Sequence, residues 1–153
     1  MALELSSAAF EQGGLVPKKY TGEGPDVSPP LTWSEPPQGT KSLALICDDP
    51  DAPVGTWVHW VLWGIRPDAR ELPEAVPTDG ELSNGIRQGT TDFRRIGYGG
   101  PMPPPGPAHR YSFRLYALDT ALALKPGAKK KELVAAIQGH VLAEAELIGR
   151  YKR

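Results

Sequence analysis

The sequence has little cysteine, no excess of charge of either sign and no long hydrophobic run. Its 153 residues include one cysteine, Cys47, which excludes an internal disulfide and lies in an apolar run that predicts a small buried side chain. The 17 Lys and Arg residues balance 18 Asp and Glu residues, which excludes the broad basic surface of a nucleic-acid-binding protein. No apolar run has the length of a transmembrane helix, so we expect no stable membrane insertion. The first 14 residues contain Glu4 and Glu11 and no basic residue, unlike a secretory signal, and we expect a cytoplasmic protein.

Glycine and proline are abundant instead. The chain has 17 of each, about 22% of its residues against roughly 12% in average proteins, which excludes a mostly helical bundle. These residues separate short hydrophobic runs, a rhythm that predicts one all-β-dominated domain over residues 1–153, either a sandwich or a barrel, with one or two short helices. The predicted strands cover residues 31–33, 43–47, 58–65, 110–118 and 141–151, and the predicted helix covers residues 129–138.

Two predicted strands each place a histidine toward one face of a sheet. Alternation along residues 57–65 predicts that Trp57, His59, Val61 and Trp63 share a face. The same count along residues 109–118 sets His109, Tyr111 and the following apolar residues toward the core. Ser112 then lies on the opposite face, which argues against a Ser–His catalytic pair.

Buried imidazoles need polar partners, and the segment Asp49-Pro50-Asp51 offers two carboxylates. Because Pro50 holds Asp49 extended, both carboxylates can project to one side and favour imidazolium ions nearby. We therefore expect His59 and His109 to bind phosphate-like anions more tightly below neutral pH.

A glycine-rich turn adds donors to this predicted site. In the segment GYGGP at residues 97–101, the backbone N–H groups of Gly99 and Gly100, beside Pro101, can form an anion-binding nest. The hydroxyl of Tyr111 is a further donor. The residues together predict a small cup for an oxyanion.

The same segments carry a resemblance to a known family. The residues DDPDAP at 48–53, WVHW at 57–60, GYGGP at 97–101 and HRY at 109–111 closely resemble the phosphatidylethanolamine-binding protein family, as do SPPLTW at 28–33 and PPPG at 103–106. The resemblance runs from about residue 17 to residue 151 and is closest to the short prokaryotic branch of Raf kinase inhibitor-like proteins. It implies an antiparallel β-sandwich with an anion pocket at one end. The ligand-binding residues carried over or adjoining are Asp49, Asp51, Trp57, His59, Gly99, Gly100, Pro101, His109 and Tyr111.

The chain departs from the family pattern in two places. Met102 stands where many short relatives have cysteine, and Thr90-Thr91-Asp92-Phe93-Arg94 replaces a more usual Asn-Asp-Phe-Gly. We expect neither departure to touch the residues nearest the ligand, and both argue against a redox role for this region.

These features favour a binding protein without catalytic residues, metal or cofactor. Its expected ligand is a small phosphorylated or carboxylated molecule, with a phospholipid head group or a phosphorylated partner side chain among the candidates. One alternative is an inhibitor of a protein kinase or serine protease that acts by surface contact, as family members do. Another is a metal-assisted hydrolase that uses His59, His109 and Asp49.

The aromatic residues near the site also predict assembly. Larger relatives have a C-terminal helix beside the pocket, and nothing after Tyr151 matches it. We therefore expect an apolar surface there that pairs two chains into a homodimer around residues 97–107. Its predicted members are Trp57, Trp60, Trp63, Tyr98, Met102 and the proline cluster.

Overall fold

The computed structural model describes residues 2–153, which form two β-sheets and one short α-helix. The helix α1 covers Lys130–Ile137, and a single 3-10 turn covers Lys18–Tyr20. The mostly β architecture is thus confirmed, and each strand predicted above is present within two residues of its predicted ends. The strands are β1 (Leu5–Ser6), β2 (Leu31–Trp33), β3 (Ser42–Asp49), β4 (Trp57–Ile65), β5 (Glu71–Leu72), β6 (Arg87–Thr90), β7 (His109–Leu118), β8 (Gly127–Lys129) and β9 (Val141–Tyr151).

The smaller sheet has the order β1-β2-β5 and the larger sheet has the order β8-β6-β4-β3-β7-β9. Every neighbouring pair is antiparallel except β6 and β8, which run parallel, so the wholly antiparallel arrangement expected above is wrong at this edge. The chain crosses from the end of β7 to the far edge of the sheet before it enters β8. β6 and β8 approach closely because residue 89 is glycine, where a Cβ atom would clash with the carbonyl of Ala128.

The larger sheet is buried on both faces. One face packs against residues of the smaller sheet, such as Leu31 and Trp33, in a single core cluster. The opposite face packs against α1 through Leu133 and Ile137. Cys47 belongs to the first cluster and is 1% exposed, which confirms it as a small buried side chain. Strands covered on both sides are hydrophobic along their whole length, as β3 and β4 are.

β4 has two more residues than the segment of β3 that it pairs with, and one of these extra residues is His59. Cys47 pairs with Trp60 and Asp48 pairs with Val58, so His59 has no partner on β3. This is a β-bulge, and a bulge changes which side chains share a face.

The bulge puts His59 and Trp60 on the same side of the sheet. His59 contacts Tyr111, and Trp60 lies in the same core cluster as Tyr111. Val61 and Trp63 pack on the opposite face. The predicted alternation, which grouped His59 with Val61 and Trp63, is therefore wrong beyond His59, because the extra residue shifts the period of two.

Within residues 2–153, no helix has both the length and the apolar character that crossing a lipid bilayer requires.

Candidate functional site

A cavity of about 300 Å³ lies at one end of the larger sheet. There the last residue of β3, Asp49, meets the first residues of β4 and β7, Trp57 and His109. Neighbouring antiparallel strands bring these ends together although they are far apart in sequence. The lining residues are Asp49, Ala52, Pro53, Val54, Trp57, His59, Phe93, Met102, Pro103, Pro104, His109 and Tyr111.

His59 is held by the glycine-rich turn. Its Nδ1 lies 2.6 Å from the carbonyl oxygen of Gly99, and the Gly99 N–H donates to the His59 carbonyl at 3.0 Å. Burial lowers the pKa of His59, although the Gly99 carbonyl and the charge of Asp49 act in the opposite direction. This shift acts against the expectation that His59 gains a charge below neutral pH.

His109 is held by Asp49. Its Nδ1 lies 2.8 Å from Asp49 Oδ2, and both side chains are largely buried. The other carboxylate oxygen, Oδ1, accepts the backbone N–H of Asp51 at 2.7 Å. This carboxylate orients the imidazole, and it neutralises the ring's charge whenever the ring is protonated.

The hydroxyl of Tyr111 is the one buried side-chain polar atom in the described chain that has no hydrogen-bond partner. The tyrosine is 1% exposed, and its ring packs edge-on against His59 at 5.1 Å between centroids. Burial, together with the nearby charge of Asp49, raises the pKa of Tyr111 well above its ordinary value. The hydroxyl thus stays protonated and can donate a hydrogen bond.

The walls of the cavity are mostly apolar. The Phe93 ring packs edge-on against Trp57 at 5.6 Å and against His59 at 5.2 Å. Met102 is 45% exposed and Val54 is 80% exposed, so both lie toward solvent. The cavity combines a few polar groups with apolar walls, an arrangement typical of small-molecule sites.

The sequence matches the family described as phosphatidylethanolamine-binding protein over residues 6–152. The chain belongs to this family. A UPF0098 protein from Methanothermobacter thermautotrophicus is 53% identical over 151 residues, which cover 99% of each chain. A UPF0098 protein from Chlamydia trachomatis is 39% identical, again over 99% of each chain.

Two solved structures of phosphatidylethanolamine-binding protein relatives have the same fold. The Escherichia coli protein YbcL, described as a new member of the mammalian family, superimposes with a TM-score of 0.93 at 32% identity and covers 100% of this chain and 99% of its own. A family homologue from Chlamydia trachomatis superimposes with a TM-score of 0.91 at 39% identity and covers 99% of this chain and 98% of its own.

The residues predicted from the family resemblance divide into two groups in the structure. Five of them line the cavity together: Asp49, Trp57, His59, His109 and Tyr111. The other four, Asp51, Gly99, Gly100 and Pro101, are not among its lining residues.

Asp51 pairs with Arg110, whereas we expected both carboxylates to lie beside the histidines. It accepts two hydrogen bonds from the Arg110 guanidinium, at 2.9 and 2.8 Å, and one from the Arg110 backbone N–H. The side-chain hydrogen bonds from Arg110 lower the pKa of Asp51 to about 2. Pro50 turns the chain between the two aspartates, so Asp51 forms a surface ion pair next to the cavity.

The expected nest of backbone donors does not form. The N–H of Gly99 is bonded to the His59 carbonyl, and the N–H of Gly100 is bonded to Asp26 Oδ1 at 2.7 Å. Pro101 has no N–H to offer. The glycines allow a close approach to neighbouring backbone, because a Cβ atom at Gly100 would clash with the Tyr20 carbonyl. The turn therefore positions His59, and the hydrogen-bond donors available to a ligand in the cavity belong to side chains.

One of the two departures from the family pattern lines the cavity. Met102 forms part of its wall, so the expectation that neither departure touches the site is wrong for Met102. In the other segment Phe93, which the family pattern shares, also forms part of the wall, whereas Thr91 and Arg94 are not among the lining residues. Phe93 has a signal that could have revealed it: it is the one aromatic residue in the polar segment 90–95, and such a ring needs an apolar surface to pack on. Met102 packs over Gly22, where the missing side chain leaves room for it.

The aromatic surface predicted for a dimer is smaller than expected. Trp60, Trp63 and Tyr98 are buried inside the protein and cannot form an interface. Trp60 packs on one face of β4 and Trp63 on the other, and both faces are covered. Val54 and Met102 remain exposed beside the cavity.

The donor set does not favour the metal alternative built on His59, His109 and Asp49. Both oxygens of Asp49 already accept hydrogen bonds, one from the Asp51 backbone and one from His109 itself. Across residues 2–153, no three His, Cys, Asp or Glu side chains are arranged to hold a metal ion.

Proposed function

We propose that this family member is a binding protein whose cavity holds a small ligand with a phosphate-like or carboxylate group attached to an apolar body. The observation that carries the proposal is the unpartnered Tyr111 hydroxyl at the cavity. A buried hydroxyl without a partner costs free energy, and an acceptor oxygen on a ligand would remove that cost.

His109 supports the same ligand chemistry. Its Nδ1 is bonded to Asp49, so Nε2 is the ring nitrogen left for a ligand. A protonated His109 donates from Nε2 to an anionic oxygen, while Asp49 compensates the charge of the ring. Tyr111 and His109 together provide two donors for one oxyanion group.

The residues of the cavity wall indicate the chemistry of the rest of the ligand. Trp57, Phe93, Pro103 and Pro104 provide aromatic and aliphatic surface around the polar groups. A volume of about 300 Å³ suits a head group or an aryl phosphate and is too small for two acyl chains. A lipid head group and a free small phosphate share this chemistry, and the probes below distinguish them.

Calorimetric titration tests the proposal with two soluble probes, phenyl phosphate and glycerophosphoethanolamine, the head group of phosphatidylethanolamine. We expect phenyl phosphate to bind the wild type and His109→Ala to weaken that binding about tenfold or more, because a charge-assisted hydrogen bond is lost. Binding of the second probe alone would point to a lipid head group as the ligand.

His140→Ala is the matched control. His140 forms a similar pair with Asp119 at 2.8 Å but lies outside the cavity and is more exposed. It should leave the affinity for phenyl phosphate unchanged. Equal loss in both variants, or no binding of any probe to the wild type, would refute the proposed function.

The proposal concerns binding and includes no catalytic residue. The exposed Val54 and Met102 beside the cavity are where we propose that a second copy of the chain docks in a homodimer. In the described chain, nothing singles out a surface for a kinase or a protease, so inhibition by contact is not part of the proposal.

A further inference from the structure

The hydrogen bond between His59 and Gly99 determines which nitrogen of the ring carries a proton. The Gly99 carbonyl oxygen can only accept, so His59 Nδ1 must donate to it. In a neutral imidazole the other nitrogen, Nε2, then has a lone pair and no proton. Nε2 of His59 has no hydrogen-bond partner in the described chain. Among fully buried side-chain polar atoms there, Tyr111 Oη alone lacks a partner, so Nε2 of His59 is not fully buried and a ligand can reach it.

The neutral form of His59 follows from its surroundings. The ring is 4% exposed and packs between the rings of Phe93 and Tyr111. Burial disfavours the charged ring and lowers the pKa of His59. The charged and titratable groups around it belong to several elements: Asp48 and Asp49 on β3, His109 and Tyr111 on β7, and Asp26 beside Gly100.

We propose that His59 accepts a hydrogen bond from the ligand, so that the cavity selects oxyanions that retain a proton, such as a phosphate monoester monoanion, over equally charged anions that have none. This inference rests on the proposed function and specifies its ligand class. A monoester monoanion has P–O⁻ and P=O oxygens that accept from Tyr111 and a protonated His109, and one P–OH that donates to His59. A sulfate ester has the same charge and a similar shape but offers no donor.

An acceptor at His59 Nε2 would also distinguish a phosphate monoester from a phosphodiester. A phosphodiester, including the head group of phosphatidylethanolamine, is a monoanion without a P–OH group. It would place an acceptor oxygen against the lone pair of His59 and leave that nitrogen unpaired. The structure therefore favours a terminal phosphate monoester over a diester head group.

The test compares phenyl phosphate with phenyl sulfate by calorimetry. At about pH 5.5, below the second ionisation of a phosphomonoester near pH 6, both probes are mostly monoanions and differ in the proton. We expect phenyl phosphate to bind about tenfold more tightly, the effect of one hydrogen bond and one avoided repulsion. At about pH 8 the monoester has lost its proton, and we expect this preference to shrink.

Two variants identify the group responsible. His59→Asn keeps a donor near the position of Nδ1 for the Gly99 carbonyl and removes the acceptor at Nε2, so the preference for phenyl phosphate should disappear. Tyr111→Phe removes a donor instead, so both probes should bind more weakly while their ratio stays the same. Thermal melting of each variant checks that it is folded.

The outcomes separate the two proposals. No binding of either probe would overturn the proposed function and this inference with it. Binding of both probes with equal affinity at about pH 5.5, or a preference that survives in a folded His59→Asn, would overturn this inference alone. Glycerophosphoethanolamine provides an independent check, since it should bind as weakly as phenyl sulfate.

Discussion

Replacing Tyr111 with phenylalanine should stabilise the protein while it weakens ligand binding. The hydroxyl is buried and has no partner in the unliganded protein. Leaving such a group unpaired costs about 1–3 kcal/mol, and a water molecule in the adjacent cavity would recover part of this cost. We therefore expect Tyr111→Phe to raise the free energy of unfolding by about 1 kcal/mol. For a domain of this size that is about 2–4 °C in Tm.

Tyr98→Phe is the matched control, because it makes the same change at another buried tyrosine. The Tyr98 hydroxyl donates to the Tyr20 carbonyl at 2.7 Å, so its removal leaves that carbonyl without its donor. We expect Tyr98→Phe to lower the free energy of unfolding by about 1–3 kcal/mol. Denaturant unfolding of the two variants measures both changes without ligand.

The opposite signs are the decisive result. If Tyr111→Phe destabilises the protein as much as Tyr98→Phe does, the Tyr111 hydroxyl already has a good partner in the free protein. A ligand would then not be needed to supply that partner. If Tyr111→Phe is stabilising but binds phenyl phosphate as tightly as the wild type, the hydroxyl does not contact the ligand.

Three further predictions concern stability and assembly. Asp49→Ala should lower the free energy of unfolding by about 1–3 kcal/mol, because a buried imidazole loses its acceptor. Asp51→Ala should cost less than about 1 kcal/mol, because its ion pair is on the surface, and equal losses in chemical denaturation would contradict this ranking. Because the folded-state pKa of His59 is lowered, the unfolded chain binds this proton more readily, and stability should fall as the pH drops below about 6.5. His59→Asn should flatten that part of the stability profile, and an unchanged slope would show that another group causes it. Light scattering should give twice the mass of one chain, and a charged residue at Val54 or Met102 should dissociate the dimer; a monomeric mass at every concentration would end the dimer proposal.

Much of the larger sheet could be predicted because its strands are long and apolar. β3, β4 and β7 are runs of aliphatic and aromatic residues bounded by turn residues, and their periodicity shows directly in the sequence. β6 could not be recognised in this way. Its sequence RQGT has no apolar pattern, and it is a strand because buried Gln88 bonds the indole of Trp60 and the carbonyls of Pro77 and Asp79.

The site was predictable where its chemistry resides in strands and less so where it resides in loops. His109 and Tyr111 follow the alternation of β7, and the structure places both at the cavity. The roles of Asp51 and the glycine turn depend on how Pro50 and Gly99 direct the backbone, which spacing alone does not specify. Phe93 lies at the cavity because it packs against Trp57 and His59, which are far from it in sequence. The local sequence around Phe93 does not predict these contacts.

The extra residue at His59 lets two consecutive residues of β4 face the same side of the sheet. Trp57 and His59 line the cavity, and Trp60 continues on that face in the core, whereas Val58, Val61 and Trp63 pack on the opposite face. In a regular strand His59 and Trp60 would face opposite sides, so either the cavity would lose the imidazole or the core would lose the indole. Deleting His59 would restore the ladder at this point and leave Trp57 and Val58 on their present faces, because Asp48 would still pair with Val58 and Asp49 with Trp57. The imidazole in the cavity thus depends on an irregularity one residue long.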